Sequence, residues 1–189
     1  MIGCYDFCGH YEWTFDWLDR EGGHDLLKAY WNEAINLDSQ IHARELIIKE
    51  GFEGMAKYWG HTLAEESPDL GFNITKTPEV FRIDMHDCPS KGFLLKNGLE
   101  QYRDYCDHCI GWIGPLMKDA GFVIDHEHNH CGQCWWEMRR EGSLGGHAPT
   151  GSVAGEHDVR VRRDWNDGFT KLDGYVKTTD PDGKISPQL

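Results

Sequence analysis

Between Asp125 and Cys134 the chain reads DHEHNHCGQC, with histidines at 126, 128 and 130 and cysteines at 131 and 134. On an extended backbone, alternate residues share a face, so His126, His128 and His130 point one way while Asp125, Glu127 and Asn129 point the other. Three imidazoles on one face could build a metal site with open positions, as catalytic zinc and non-haem iron require. Alternate strand residues are about 7 Å apart, so two of these histidines plus a ligand from elsewhere make better geometry than all three. His86 and Asp84 are the candidates if their strand pairs with this one. The plainer alternative is that one or two of the histidines are ordinary solvent-facing residues.

The cysteines add a second pattern. Cys106 and Cys109 form one Cys-x-x-Cys and Cys131 and Cys134 another, twenty-one residues apart. Four thiolates can close a tetrahedron around zinc, but the spacing is long and the first pair lies on the apolar face of a helical pattern. Three outcomes stay open: a shared four-cysteine site, a mixed site in which Cys109, Cys131 or Cys134 joins histidines, and cysteines that are simply small buried hydrophobes. Zinc or iron is the ion such donors would take. No nucleotide cofactor is evident.

Two more groupings carry less. Asp38, His42 and Glu45 share one helix face at i, i+4 and i+7; they could bind a metal, and a solvated face with a local ion pair is the favoured alternative. Cys4, Cys8 and His10 could form a lid over a site, although the aromatic Tyr5, Phe7, Tyr11 and Trp13 suggest a terminus that packs instead.

These residues need elements to position them. Apolar spacing predicts a helix from Asp25 to Glu50 with a stop at Gly51, a second over about Phe52–Glu66, and a third over about Leu99–Met117 that Pro115 ends or kinks. Alternation predicts strands at Glu79–Asp87 and Gly121–Glu137, with a short one at Asp158–Arg163. Residues 142–157 read as a Gly-rich loop or arm, and the last residues as a loose tail. The expected fold is one α+β domain over 1–189, N-terminal helices packed on a small antiparallel sheet, with the Cys106 helix crossing one face.

Composition narrows the class. The chain has 189 residues and a formal net charge of -13, which argues against a nucleic-acid partner. The stretch RVRRDW (Arg160–Trp165) is the local exception, read as a charged strand edge or as an anion-binding patch. No stretch approaches the roughly 20 apolar residues of a membrane span. The first residues lack a signal pattern, so a cytoplasmic location is expected, where clustered cysteines suggest metal or catalysis rather than disulfides. A homo-oligomer stays open.

The segment from Val80 to about Arg139 resembles the L-2-amino-thiazoline-4-carboxylic acid hydrolase family. The matching elements are Cys88-Pro89 after a strand, Cys106-Asp107 on a helix, and HCGQCWW around Gly132 and Cys134, followed by Arg139. The HEHNH run, Cys109 and Cys131 look like additions to that pattern. The resemblance implies hydrolytic opening of a small ring that contains sulfur and nitrogen and carries a carboxylate. For that chemistry we expect Cys106, Cys134, His128 and Asp107 in catalysis, with His130 the alternative to His128, and Arg139, Cys88 and His86 against the substrate. His126, His128, His130, Cys109, Cys131 and Cys134 would be the ligands if a metal-bound water replaced a thiol nucleophile. The competing classes are a non-enzymatic zinc-binding or sensor module with a closed Cys/His site, and an iron-dependent redox enzyme or lyase.

Overall fold

A computed structural model describes residues 2–66, 72–85, 88–99, 102, 104–128, 132–143 and 184–185. The first element, α1 (Ile2–Tyr30), breaks at Gly23, whose φ of 72° and ψ of -179° only glycine adopts without strain. It runs into a π-helical segment, Trp31–Ser39, followed by α2 (Ile41–Glu50) and α3 (Phe52–Glu66). The expected helix over Asp25–Glu50 is therefore three helical pieces. The aromatic N-terminus is itself helical, stacking Tyr11 on Phe15.

The strands β1 (Phe72–Lys76), β2 (Val80–Met85), β3 (Phe122–His128) and β4 (Cys134–Arg140) form an antiparallel sheet in the order β3-β4-β2-β1. A two-residue strand, β5 (Lys184–Ile185), pairs with the outer edge of β1. This is an α+β fold, helices packed with a small antiparallel sheet. Gly121–Glu137 is not one strand. It is the hairpin β3–β4, and Gly132 in its connection has a φ of 83° that favours glycine. The strand expected at Asp158–Arg163, the Gly-rich 142–157 region beyond Ser143 and most of the tail lie outside the described residues.

Two short helices follow β2. One is α4 (Lys91–Lys96), and the other is α5 (Asp107–Asp119), which has Asp107 in its first turn and Lys118 in its last, matching the helix dipole. The helix expected from Leu99 starts only at Asp107. Upstream, Tyr102 and Tyr105 reach the core from turns, and the Tyr102 N–H donates to the buried Glu12 carboxylate. Nor does Pro115 end the helix. Trp112, Ile113, Leu116 and Met117 are buried on both sides of it, and their burial, roughly 1.5–3 kcal/mol each, outweighs the roughly 3 kcal/mol a helical proline costs.

Helix α5 packs on β3 and on the π-helical segment. The second contact requires Gly111, because a side chain there would collide with the Trp31 ring. Among the described residues, no helix is long and apolar enough to cross a membrane.

Candidate functional site

Strand alternation sorts the sheet residues into two faces. Register places His128 opposite Cys134, His126 opposite Trp136, and Ile83 beside Trp136 on the face toward α5. Asp125, Glu127, Trp135, Glu137, Arg139, Asp84 and Arg82 belong to the reverse face. On the α5 side a pocket is lined by Cys88, Lys91, Tyr105, Cys106, His108, Cys109, His126, His128, Gly132, Gln133 and Cys134. The pocket thus gathers Cys88, Cys106, Cys109, Cys134, His126 and His128 from four separate elements and turns.

The Cys88 turn is tightly built. Its N–H donates to the Gly132 carbonyl at 2.9 Å, joining the turn to the far end of the hairpin. The backbone N–H groups of Ser90, Lys91 and Gly92 lie beside its sulfur and act on it electrostatically. Burial holds the Cys88 thiol above its ordinary range, and these N–H groups, which favour the thiolate, offset only part of that rise. Burial acts with less opposition at Cys109 and Cys134, and both thiols lie well above the ordinary range. Lys91 is wholly buried, its Nζ 5.6 Å from the centre of the Tyr105 ring. The Tyr105 hydroxyl in turn meets Ser90 Oγ at 2.5 Å.

A hydrogen-bonded chain runs along the same wall. His126 Nδ1 lies 3.1 Å from the Trp135 carbonyl oxygen, His126 Nε2 lies 2.8 Å from His128 Nδ1, and His128 Nε2 lies 2.8 Å from Asp107 Oδ1. The carbonyl and the carboxylate can only accept, so the two outer nitrogens carry protons. The middle bond needs one more. The form that makes all three bonds therefore holds a single positive charge shared by the two imidazoles, facing the Asp107 carboxylate. Such a pair can hand a proton to a leaving group and take one from water.

The other expected residues go elsewhere. Arg139, expected to hold a substrate anion, lies on the reverse face with its Nη2 2.6 Å from Asp125 Oδ2. Asp84 also lies there, gripped by Arg82 at 2.7 Å, and its strand pairs with β4 rather than with the histidine strand. His86, His130 and Cys131 lie outside the described residues. Asp38, His42 and Glu45 are all exposed. Of the N-terminal trio, Cys8 is buried in the core and His10 is exposed.

Lys91, Tyr105, His108 and Gln133 are pocket residues that spacing did not reveal. Only their nearness in sequence to Cys88, Cys106 and Cys134 pointed to them. As for zinc or iron, the donor types suit either ion. Among the described residues, however, no three His, Cys, Asp or Glu side chains are grouped to hold one. Comparison with known proteins finds no match to this chain among family models, curated proteins or solved structures.

Proposed function

We propose that this chain is a small-molecule hydrolase that opens a small carboxylate-bearing ring by thiol chemistry, in the manner of the aminothiazoline carboxylate hydrolases that Val80–Arg139 resembles. The observation that best supports this reading is the setting of Cys88, a sulfur that lines the same pocket as the His126–His128 pair and lies beside the backbone N–H groups of Ser90, Lys91 and Gly92. The thiolate is the nucleophilic form, and backbone donors favour it. Cys88, rather than Cys106 or Cys134, is then the attacking sulfur.

In the first step the Cys88 sulfur bonds to the ring carbon that lies between nitrogen and sulfur. The ring heteroatom leaves with a proton from the His126–His128 pair. In the second step water attacks that carbon, returns a proton to the imidazoles and releases the Cys88 thiolate. Asp107 holds His128 in orientation and balances the charge. The Lys91 ammonium supplies the positive charge a substrate carboxylate needs, the part first expected of Arg139.

The test incubates the purified protein with the aminothiazoline carboxylate and related cyclic acids and follows ring opening. Turnover that is lost on alkylation with iodoacetamide and survives a chelator supports the reading. No turnover of any such acid overturns it. So does turnover that a chelator removes and zinc, iron or manganese restores.

A further inference from the structure

The hydrolytic reading leaves Cys109 and His108 unused, yet both share the pocket wall with Cys106. Cys106 caps α5 with φ -65° and ψ -20°, and Cys109 follows within the first turn. Residues three apart on a helix are neighbours on one face, with Cβ atoms about 5–6 Å apart. A disulfide brings them to about 3.8 Å. Cys106 stands at the cap, ahead of the residues that the helical ladder ties down.

The imidazole next to the second sulfur is oriented for proton transfer. His108 Nδ1 lies 2.6 Å from the Tyr105 carbonyl oxygen, so that nitrogen carries the hydrogen and donates it. This leaves the Nε2 lone pair facing Cys109 Sγ at 3.6 Å. With Nδ1 the donor to the Tyr105 carbonyl, the contact at Nε2 is one that the Cys109 thiol donates.

We propose that Cys106 and Cys109 form a redox-active dithiol that exchanges with small-molecule disulfides, with Cys106 the attacking thiol, Cys109 the resolving one and His108 Nε2 the acceptor of the Cys109 proton. Cys106 sulfur bonds to one sulfur of the small disulfide, whose S–S bond breaks. The first small thiol departs with the Cys106 proton. Cys109 sulfur then attacks Cys106 sulfur, its proton passing to His108 Nε2 and on to the second departing thiol. Two electrons move from the protein dithiol to the small disulfide, giving one protein disulfide and two small thiols. Cys109 suits the resolving part because it lies within the helix with its sulfur beside His108 Nε2, while Cys106 stands at the cap. The inference goes beyond ring hydrolysis and rests on the Cys106–Cys109 turn, so either reading can fail alone.

Trypsin cuts after Arg103 and Lys118, leaving Cys106 and Cys109 together as the only cysteines of one peptide. The whole protein is equilibrated in buffers of increasing oxidised over reduced glutathione, alkylated and digested. The expected result is a peptide lighter by two hydrogens, with alkylation of both cysteines falling by roughly tenfold or more. Cys109→Ser is expected to trap glutathione on Cys106 as a stable mixed disulfide, which the unaltered protein resolves. Unchanged alkylation across the series overturns the proposal, as does a disulfide linking either cysteine to Cys88 or Cys134. The glutathione series needs no variant, so a misfolded Cys109→Ser chain leaves the test intact. If zinc protects Cys88, Cys106, Cys109 and Cys134 together from alkylation and oxidation, the pocket is a metal site and the dithiol proposal fails.

Discussion

On the face of the sheet that meets α5, the His126 and His128 imidazoles and the Cys134 thiol sit beside Ile83, Trp136 and Met138. On the reverse face of the same strands, Arg82 binds Asp84 through two nitrogens and reaches Glu137 at 3.1 Å, while Arg139 binds Asp125. Asp84, Glu137 and Arg139 are as buried as many core residues, and Arg82 also stacks 4.7 Å over the Trp135 ring. The reverse face is richer in charge, and its two arginines are held by its own carboxylates, although Glu137 Oε1 and Arg139 Nε make no hydrogen bond. The α5 face has fewer ionic groups, and they open on a cavity. Chemistry follows from which groups face free space rather than from how polar a surface is.

Four measurements would break or sharpen that contrast. The largest expected effect is at Cys88: Cys88→Ser should lower ring-opening turnover by roughly a thousandfold or more while the fold survives. A variant that keeps its rate would move the nucleophile elsewhere in the pocket.

Arg82→Met on the reverse face should instead cost about 3 kcal/mol of stability, because it strands two buried carboxylates. Urea denaturation measures this, and activity per folded molecule should not change. A loss of turnover beyond the loss of folded protein would mean that the two faces are coupled.

His108 offers a third measurement, on the α5 side. In the unfolded chain it takes a proton near pH 6.5, but in the folded protein only near pH 4. Between those values the unfolded state holds more protons, so this contribution, complete above pH 6.5, is lost as pH falls toward 4. It amounts to roughly 3 kcal/mol. His108→Leu should flatten that part of the stability–pH curve, and a curve identical to that of the unaltered protein would contradict the burial of a neutral ring.

The smallest effect is expected at Asp107. Asp107→Asn keeps a carbonyl acceptor for His128 but removes the balancing charge, and should lower kcat by roughly tenfold with little change in KM. A change confined to KM would place Asp107 against the substrate instead.

The strands were largely legible because burial on one side imposes alternation. Phe81 and Ile83 are buried as the VFRIDM pattern implied, and His126 and His128 share a face as their spacing implied. Strand β1 was hidden in a turn-rich stretch, and its Phe72 and Ile74 are too few to show a period. Helical spacing misled at Leu99–Cys106, since turns can bury Tyr102 and Tyr105 at the same intervals a helix would. The site was half visible. Cysteine and histidine announce themselves by type, whereas Lys91 is an ordinary residue until the fold buries it. Arg139 looked suited to an anion because one strand position carries no sign of which face its partners occupy.

The pairing of His128 with Cys134 has one more consequence. Which residues of β3 enter the cavity depends only on whether a position is odd or even, so gaining or losing a single residue between these two would not degrade the site gradually. If β4 and its pairings stayed in place, the strand would slip by one, turning Glu127 and Asp125 inward and both imidazoles outward. Homologous chains with a different loop length there should therefore differ by an even number of residues, or else keep no histidine chain at all.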